Sequence, residues 1–179
     1  METDMVGAIL ISGIPGSGKT TIARLIAAEF ERAAHLEGDL LSFRFIVSGL
    51  VPPQGPPLDE AQRQLELRRR NICLLADSFA EAGFIPVIDD VIVSPGVLDL
   101  YRRRLVTRPL RLVQLAPSLD VIEQRDATRH KQVFHLWSYM HTDLHQRMPR
   151  VGFWLDNSEL TESETVQAVM ANLKEAVIA

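Results

Sequence analysis

Short apolar segments alternate along the chain with longer segments in which apolar residues recur at helical spacing. The strand-like segments are MVGAILI (5–11), AAHLEG (33–38), FIPVIDDVIV (84–93), LRLVQLA (110–116) and VGFWLDN (151–157). Helical spacing runs through TIARLIAAEF (21–30), residues 58–82, GVLDLYRRRL (96–105), LDVIEQRDATR (119–129) and residues 161–179. This alternation predicts an α/β fold with a parallel sheet that is covered by helices on both faces.

Residues that start or stop regular structure lie between these segments. Gly83 is placed to stop the long helix before the third strand. Thr161 and Glu164 fit a capping box at the start of the last helix. The segment SGLVPPQGPP (48–57) has too many prolines and glycines for regular structure, so we expect a substrate-side loop over residues 40–60.

The composition is that of a globular protein. The 179 residues are 46% hydrophobic and 23% charged, which favours one domain over residues 1–179 with a sizeable core. The net charge of −4 argues against a dedicated nucleic-acid binder, and the single cysteine, Cys73, excludes a disulfide framework. The chain lacks an apolar run of about 20 residues and a basic N-terminal region, so we expect a soluble cytoplasmic protein without a membrane partner. A monomer and a homodimer both fit this composition.

The stretch SGIPGSGKTT (12–21) lies between the first strand and the first helix and fits G-x-x-x-x-G-K-[ST], the phosphate-binding loop. Its glycines let backbone N–H groups converge on a polyphosphate, and the helix N-terminus adds partial positive charge. We expect Lys19 to reach the β- and γ-phosphates and Thr20 to hold Mg²⁺. The alternative is a glycine-rich turn that matches by chance. The predicted nucleotide-binding residues are Gly13, Ile14, Pro15, Gly16, Ser17, Gly18, Lys19, Thr20 and Thr21.

Two carboxylates, Asp89 and Asp90, stand where the third strand runs out. A carboxylate beside a phosphate loop can hold Mg²⁺ directly or through water. Successive strand residues point to opposite faces of a sheet, so the two cannot serve the same purpose. We assign Asp89 to the metal and Asp90 to the substrate, although the order of the two is open. Alternatively, both are solvated residues at a strand end.

Asp39 follows the second strand directly. A kinase that acts on a hydroxyl needs a carboxylate to orient and deprotonate it, and Asp39 is our candidate for this base. Arg44, five residues later, could hold an anionic or polar substrate. The competing role for Asp39 is to cap a helix over LLSFRFIV.

Cations cluster near the end of the helix at residues 119–129. Arg125 and Arg129 are four residues apart and share a face, and phosphoryl transfer needs cations around the migrating group. We expect a lid over residues 129–150 and assign Arg129 to catalysis and Arg125 to the nucleotide. The alternative is that these are ordinary cations at a helix C-terminus.

Other charged groups have simpler interpretations. Arg68 to Arg70 and Arg102 to Arg104 are expected to form solvated helix faces. His141 and His145 stand four residues apart, as in helical metal sites, but lack the glutamate of H-E-x-x-H and are interpreted as surface residues.

With these residues placed, the chain resembles the small-molecule kinases of the phosphate-loop superfamily, and within them the chloramphenicol-phosphotransferase-like group. The resemblance rests on SGIPGSGKTT, GDLL (38–41), VIDDV (87–91) and QRDATR (124–129). The form IPGSGKT is similar to that of gluconate, shikimate and nucleotide kinases. The resemblance implies a doubly wound core with strand order 2-3-1-4-5, ATP with Mg²⁺ as donor, and a hydroxylated acceptor. It also supports Asp39 as base and Arg125 and Arg129 as nucleotide-side or lid arginines.

The predicted function is therefore an ATP-dependent phosphotransferase that moves the γ-phosphate to a hydroxyl of a small molecule. Two alternatives stay open. One is a toxin-type or polynucleotide-end kinase, and the other is a non-catalytic ATP-binding module that regulates a partner. The pocket segment SFRFIVSGLVPPQGPPL (42–58) does not identify the acceptor.

Overall fold

A computed structural model of the chain describes residues 7–127 and 139–179. A five-stranded sheet forms its centre, with strand order β2-β3-β1-β4-β5 and parallel pairing throughout. The strands are β1 (Ala8–Ser12), β2 (Ala33–Glu37), β3 (Ile85–Asp90), β4 (Leu110–Leu115) and β5 (Phe153–Leu155). The α/β fold and the strand order implied by the resemblance are both confirmed.

Helices connect the strands and cover both faces of the sheet. They are α1 (Lys19–Ala28), α2 (Gly38–Phe43), α3 (Leu58–Glu81), α4 (Pro95–Arg104), α5 (Leu119–Ala127), α6 (Tyr139–Arg147) and α7 (Glu162–Ala171). Gly83 follows α3 with φ +79°, and Thr161 and Glu164 form the predicted capping box at α7. In the described ranges, none of the helices is both long and apolar enough to cross a membrane.

Two helical boundaries differ from the predictions. The last helix ends at Ala171, not at residue 179, because the C-terminal residues bond to β4: the Leu112 amide donates to the Ala176 carbonyl at 2.8 Å. The second helix is only six residues long. The expected loop at 40–60 is therefore partly helical, with α2 reaching Phe43 and α3 beginning at Leu58.

The sheet separates two apolar layers. Leu10 and Ile88 pack in the layer that contains Ile72 of α3 and Tyr101 of α4. The other layer holds Ile9, Ile11 and Val87 of the strands together with Ile22 and Ile26 of α1 and Val169 of α7. Because side chains alternate along a strand, β3 sends Val87 toward α1 and Ile88 toward α3 and α4. The side chains named in both layers are buried, and burial of apolar surface is the main favourable contribution to folding.

The strand register brings the carboxyl ends of β1, β2 and β3 together. Ser12 pairs with Asp90, and Glu37 pairs with Asp89. Ligands bind beyond this edge in open parallel sheets. The alternation of β3 continues to its end, so Asp89 faces the α1 layer and Asp90 faces the α3 and α4 layer.

A substitution of Gly152 tests the packing that positions β5. It has φ +74°, and a Cβ atom there would lie 2.4 Å from the Leu112 carbonyl oxygen. We expect Gly152→Ala to lower the free energy of unfolding by at least about 2 kcal/mol, because both the backbone conformation and this overlap penalise a side chain. Urea denaturation measures the change.

Gly96→Ala is the matched control. Gly96 lies in α4, and a Cβ atom there meets nothing within 4 Å. The control should be neutral or stabilising by up to about 1 kcal/mol. Equal unfolding midpoints for the two variants would contradict the packing described for Gly152.

Candidate active site

The phosphate loop (residues 13–21) joins β1 to α1 in a conformation that requires glycine. Gly16 and Gly18 have φ of +93° and +90°, and a Cβ atom on Gly13 would lie 2.2 Å from Ser17 Oγ. Gly18 is the N-cap of α1, which has no side-chain cap and no acidic residue in its first turn. The N-terminus of α1 thus presents backbone N–H groups and partial positive charge, as an anion-binding helix does.

Thr20 and Asp89 meet on the α1 side of the sheet. The Thr20 hydroxyl donates to Asp89 Oδ1 at 3.2 Å, and Asp89 is buried. A hydroxyl and a carboxylate beside a phosphate loop are the donor set that Mg²⁺ takes in phosphate-loop enzymes. Of the two aspartates, Asp89 is therefore the one whose position and chemistry fit the metal.

His35 and Glu37 of β2 belong to the same group but were missed in the sequence. His35 Nε2 lies 2.6 Å from Asp89 Oδ2. Burial and the neighbouring Asp89 raise the pKa of Glu37. The sequence did contain one sign of this: His35 and Glu37 are two residues apart in a strand, so their side chains lie on the same face of β2. Only the β2–β3 register, with His35 beside Val87 and Glu37 beside Asp89, shows that this face is that of Asp89.

Asp90 lies on the other side of the sheet and is enclosed. Its side chain is 2% exposed and accepts hydrogen bonds from Arg68, from Arg69 Nε at 3.1 Å and from the Tyr101 hydroxyl at 2.9 Å. Burial alone would raise the pKa of Asp90, but the two arginines hold it below its ordinary value. The direct substrate contact predicted for Asp90 is not what this geometry offers, because its carboxylate is fully engaged inside the protein.

Arg68 and Arg69 are buried, so the prediction of a solvated face was wrong for these two residues. Arg68 stands four residues before Ile72 and shares its buried face, where Asp90 supplies the opposite charge. The prediction of a solvated face holds for Arg70, which is exposed.

Asp39 lies in the first turn of α2, one residue after its helix begins. Its side chain is 59% exposed, and Oδ1 accepts from Arg68 Nη1 at 2.8 Å. The N-cap position belongs to Glu37, so Asp39 does not fill the capping role that competed with the catalytic one. Arg44 is the C-cap of α2 and is exposed.

Arg125 and Asn157 contact the back of the phosphate loop. Arg125 donates to the Asn157 carbonyl at 3.0 Å, and the Asn157 amide donates to the Ser17 carbonyl at 3.3 Å. They border a cleft of about 250 Å³ that is also lined by Gly16, Gly18, Thr21, Ile22, Leu160, Glu162 and Thr165. Asn157 was missed because it follows a three-residue strand and belongs to no motif.

Two predicted features extend beyond the residues that the structure describes. Arg129 lies outside them, and the expected lid at 129–150 is described only from Tyr139 onward. His141 and His145 are neighbours on α6, with ring centroids 4.4 Å apart. Across residues 7–127 and 139–179, His, Cys, Asp and Glu side chains do not form a group of three or more that could hold a metal ion.

Loss of the Asp90 charge alone should destabilise the folded protein, because a buried ion pair is costly to break from one side. Asp90→Asn would leave the buried Arg69 without its counter-charge and Arg68 with only the exposed Asp39, and we expect it to lower the free energy of unfolding by about 3 kcal/mol at neutral pH. The folded-state pKa of Asp90 is lowered, so its contribution is complete above the ordinary value of 3.8 and is lost as pH falls through the folded-state pKa. Denaturation at neutral and acid pH measures both effects.

Asp99→Asn is the control for this variant, because Asp99 forms an exposed ion pair with Arg102 at 3.7 Å. Such a pair contributes at most about 1 kcal/mol. A loss for Asp90→Asn no larger than for the control would show that Asp90 is not the counter-charge of the arginines.

Comparisons with known proteins agree with this fold. A sugar kinase from Janibacter sp. has a TM-score of 0.71 at 22% identity, covering 94% of this chain and 95% of its own. The APS kinase of Mycobacterium tuberculosis, in complex with AMPPNP and APS, has a TM-score of 0.67 at 19% identity, covering 93% and 96%. A UPF0200 protein of Aeropyrum pernix is 26% identical over 136 residues, which are 67% of this chain and 73% of that protein. The family model of chloramphenicol phosphotransferase-like proteins matches residues 6–174, and the chain belongs to that family.

Proposed function

We propose that the protein transfers the γ-phosphate of ATP to a hydroxyl group of a small molecule. The observation that carries the proposal is the arrangement at the carboxyl edge of the sheet. The phosphate loop and the Thr20–Asp89 pair lie on one side of β3, and the exposed carboxylate of Asp39 follows the adjacent strand. A kinase needs a phosphate site, a metal site and an acceptor-orienting carboxylate next to one another.

The family and the fold support phosphotransfer. The family model is that of chloramphenicol phosphotransferase-like proteins, and the structural neighbours include a sugar kinase and an APS kinase. The APS kinase contains the ATP analogue AMPPNP, which supports ATP as the donor here. The form of the phosphate loop in this chain points to the same ligand class.

Each residue has a defined task in this proposal. Lys19 neutralises charge on the β- and γ-phosphates, and the phosphate loop holds the polyphosphate through backbone N–H groups. Thr20 and Asp89 would hold Mg²⁺, which supplies charge neutralisation when bound. Asp39 orients the acceptor hydroxyl and takes its proton.

Three arginines supply further positive charge for the nucleotide, the migrating phosphate and the acceptor. Arg125 lies beside the phosphate loop and would stabilise the bound nucleotide. Arg129 would act on the migrating group from the lid, and Arg44 would contact a polar or anionic part of the acceptor. The acceptor itself is a small hydroxylated molecule.

A mass-spectrometric screen tests the proposal. The protein is incubated with Mg²⁺ and ATP carrying ¹⁸O in its γ-phosphate, over a panel of antibiotics, sugars, nucleosides, oligonucleotides and a metabolite extract. We expect one compound class to gain a labelled phosphate. Lys19→Ala should lower the rate by on the order of a hundredfold or more, because it removes an electrostatic contact to the transferring group.

Lys174→Ala is the matched control, since Lys174 is exposed at the far end of the chain. It should retain the wild-type rate. Labelled oligonucleotide ends instead of small molecules would favour the polynucleotide-end kinase. ATP binding without any labelled product would favour the non-catalytic module and contradict the proposal.

A further inference from the structure

Arg68 joins a buried carboxylate to an exposed one. Its side chain is 5% exposed, yet Nη1 donates to Asp39 Oδ1 at 2.8 Å and Nη2 donates to Asp90 Oδ1. Among the residues that the structure describes, its Nε has no hydrogen-bond partner. The guanidinium therefore donates its hydrogen bonds to the two aspartates.

The two ends of this bridge differ in rigidity. Asp90 is held from three directions, because Arg69 and Tyr101 also donate to it inside the α3 and α4 layer. Asp39 stands on a six-residue helix whose start has no side-chain cap. A 24-residue helix, α3, carries Arg68. The bridge thus connects a well-anchored site in the core to a short element at the surface.

The charges allow Arg68 to act in this way. Burial by itself lowers the pKa of Arg68, but Asp90 and Asp39 outweigh that effect and raise it, so the guanidinium stays charged. Arg69 remains as a counter-charge for Asp90 when Arg68 is bonded to Asp39. Planar guanidinium groups suit this task because two of their nitrogens can serve two carboxylates in one fixed geometry.

We infer that Arg68 is a positioning residue that fixes the Asp39 carboxylate for the acceptor hydroxyl. The inference rests on the proposed function. With Oδ1 bonded to Arg68, we assign Oδ2 of Asp39 to the acceptor hydroxyl. In the transfer, the acceptor oxygen bonds to the γ-phosphorus as the bond from the β–γ bridging oxygen breaks. The hydroxyl proton passes to Asp39 Oδ2 and then to solvent, and ADP leaves.

A double-mutant cycle tests this inference, with water as the acceptor. Release of inorganic phosphate from Mg²⁺-ATP is measured for wild type, Arg68→Gln, Asp39→Asn and the double variant. We expect Arg68→Gln to lower the rate by about tenfold to a hundredfold, since misplacing a catalytic group has effects of this size. Because Arg68 acts through Asp39, the double variant should be no slower than Asp39→Asn alone.

Three further readouts separate positioning from a loss of structure. The Kd for a fluorescent ADP analogue should stay within about twofold of wild type in Arg68→Gln, because the phosphate loop is on the other side of β3. Arg68→Lys keeps the charge but not the fork, so its rate should fall between those of wild type and Arg68→Gln. Arg70→Gln changes the exposed neighbour on α3 and should leave the rate unchanged.

The ¹H–¹⁵N resonances of the Arg68 guanidinium give a readout that does not depend on turnover. Asp39→Asn should shift these signals, whereas Asp99→Asn should not. Unshifted signals, or rate losses that add in the double variant, would overturn the inference and leave the proposed function intact. A screen in which none of the compounds gains a labelled phosphate would overturn both together.

Discussion

The alternation of side chains at the end of β3 is the constraint on which the site depends. Asp89 and Asp90 are neighbours in sequence but must point to opposite faces of the sheet. Asp89 therefore joins Thr20 and His35 beside α1, and Asp90 joins Arg68, Arg69 and Tyr101 beside α3 and α4. Asp89 and Asp90 thus lie in two chemically different environments, one on each face of the sheet.

The register of the parallel strands brings the ends of β1, β2 and β3 together and so forms the site. Ser12 at the end of β1 lies beside Asp90, so the phosphate loop starts where the two carboxylates stand. Glu37 at the end of β2 lies beside Asp89, so Asp39 emerges two residues later at the same edge. This close approach favours glycine at position 38, because a Cβ atom there would lie 3.0 Å from the Asp89 carbonyl oxygen and 3.1 Å from Asp90 Oδ1.

The buried ion pairs around Asp90 serve orientation more than stability. Removing two arginines and a carboxylate from water has a large desolvation cost, and apolar residues of similar volume are often as stabilising. Ion pairs do hold a guanidinium in one geometry, and here that geometry ends at the exposed Asp39. The buried ion pairs of Asp90 thus affect the orientation of the exposed Asp39 carboxylate.

Features that rest on local chemistry could be predicted from the sequence. The phosphate loop, the capping box at Thr161 and the stop at Gly83 depend on neighbours within a few residues. The opposite orientation of Asp89 and Asp90 follows from strand geometry alone.

Features that rest on contacts between distant segments could not be predicted. The burial of Arg68 needs Asp90, 22 residues away, and the bond of His35 to Asp89 spans 54 residues. Three consecutive arginines on a helix have the same pattern whether a carboxylate faces them or water does. Asn157 contacts Ser17 across 140 residues, and that distance explains why its role was missed.

The division of the edge into a metal side and an acceptor side is the central claim. Calorimetric titration of AMPPNP, with and without Mg²⁺, into wild type, Asp89→Asn and Asp39→Asn tests it most directly. We predict that Mg²⁺ strengthens binding to wild type and to Asp39→Asn, and that Asp89→Asn loses this gain while its affinity without Mg²⁺ does not weaken. An Asp89→Asn protein that keeps the full Mg²⁺ gain, or an Asp39→Asn protein that loses it, would contradict the account.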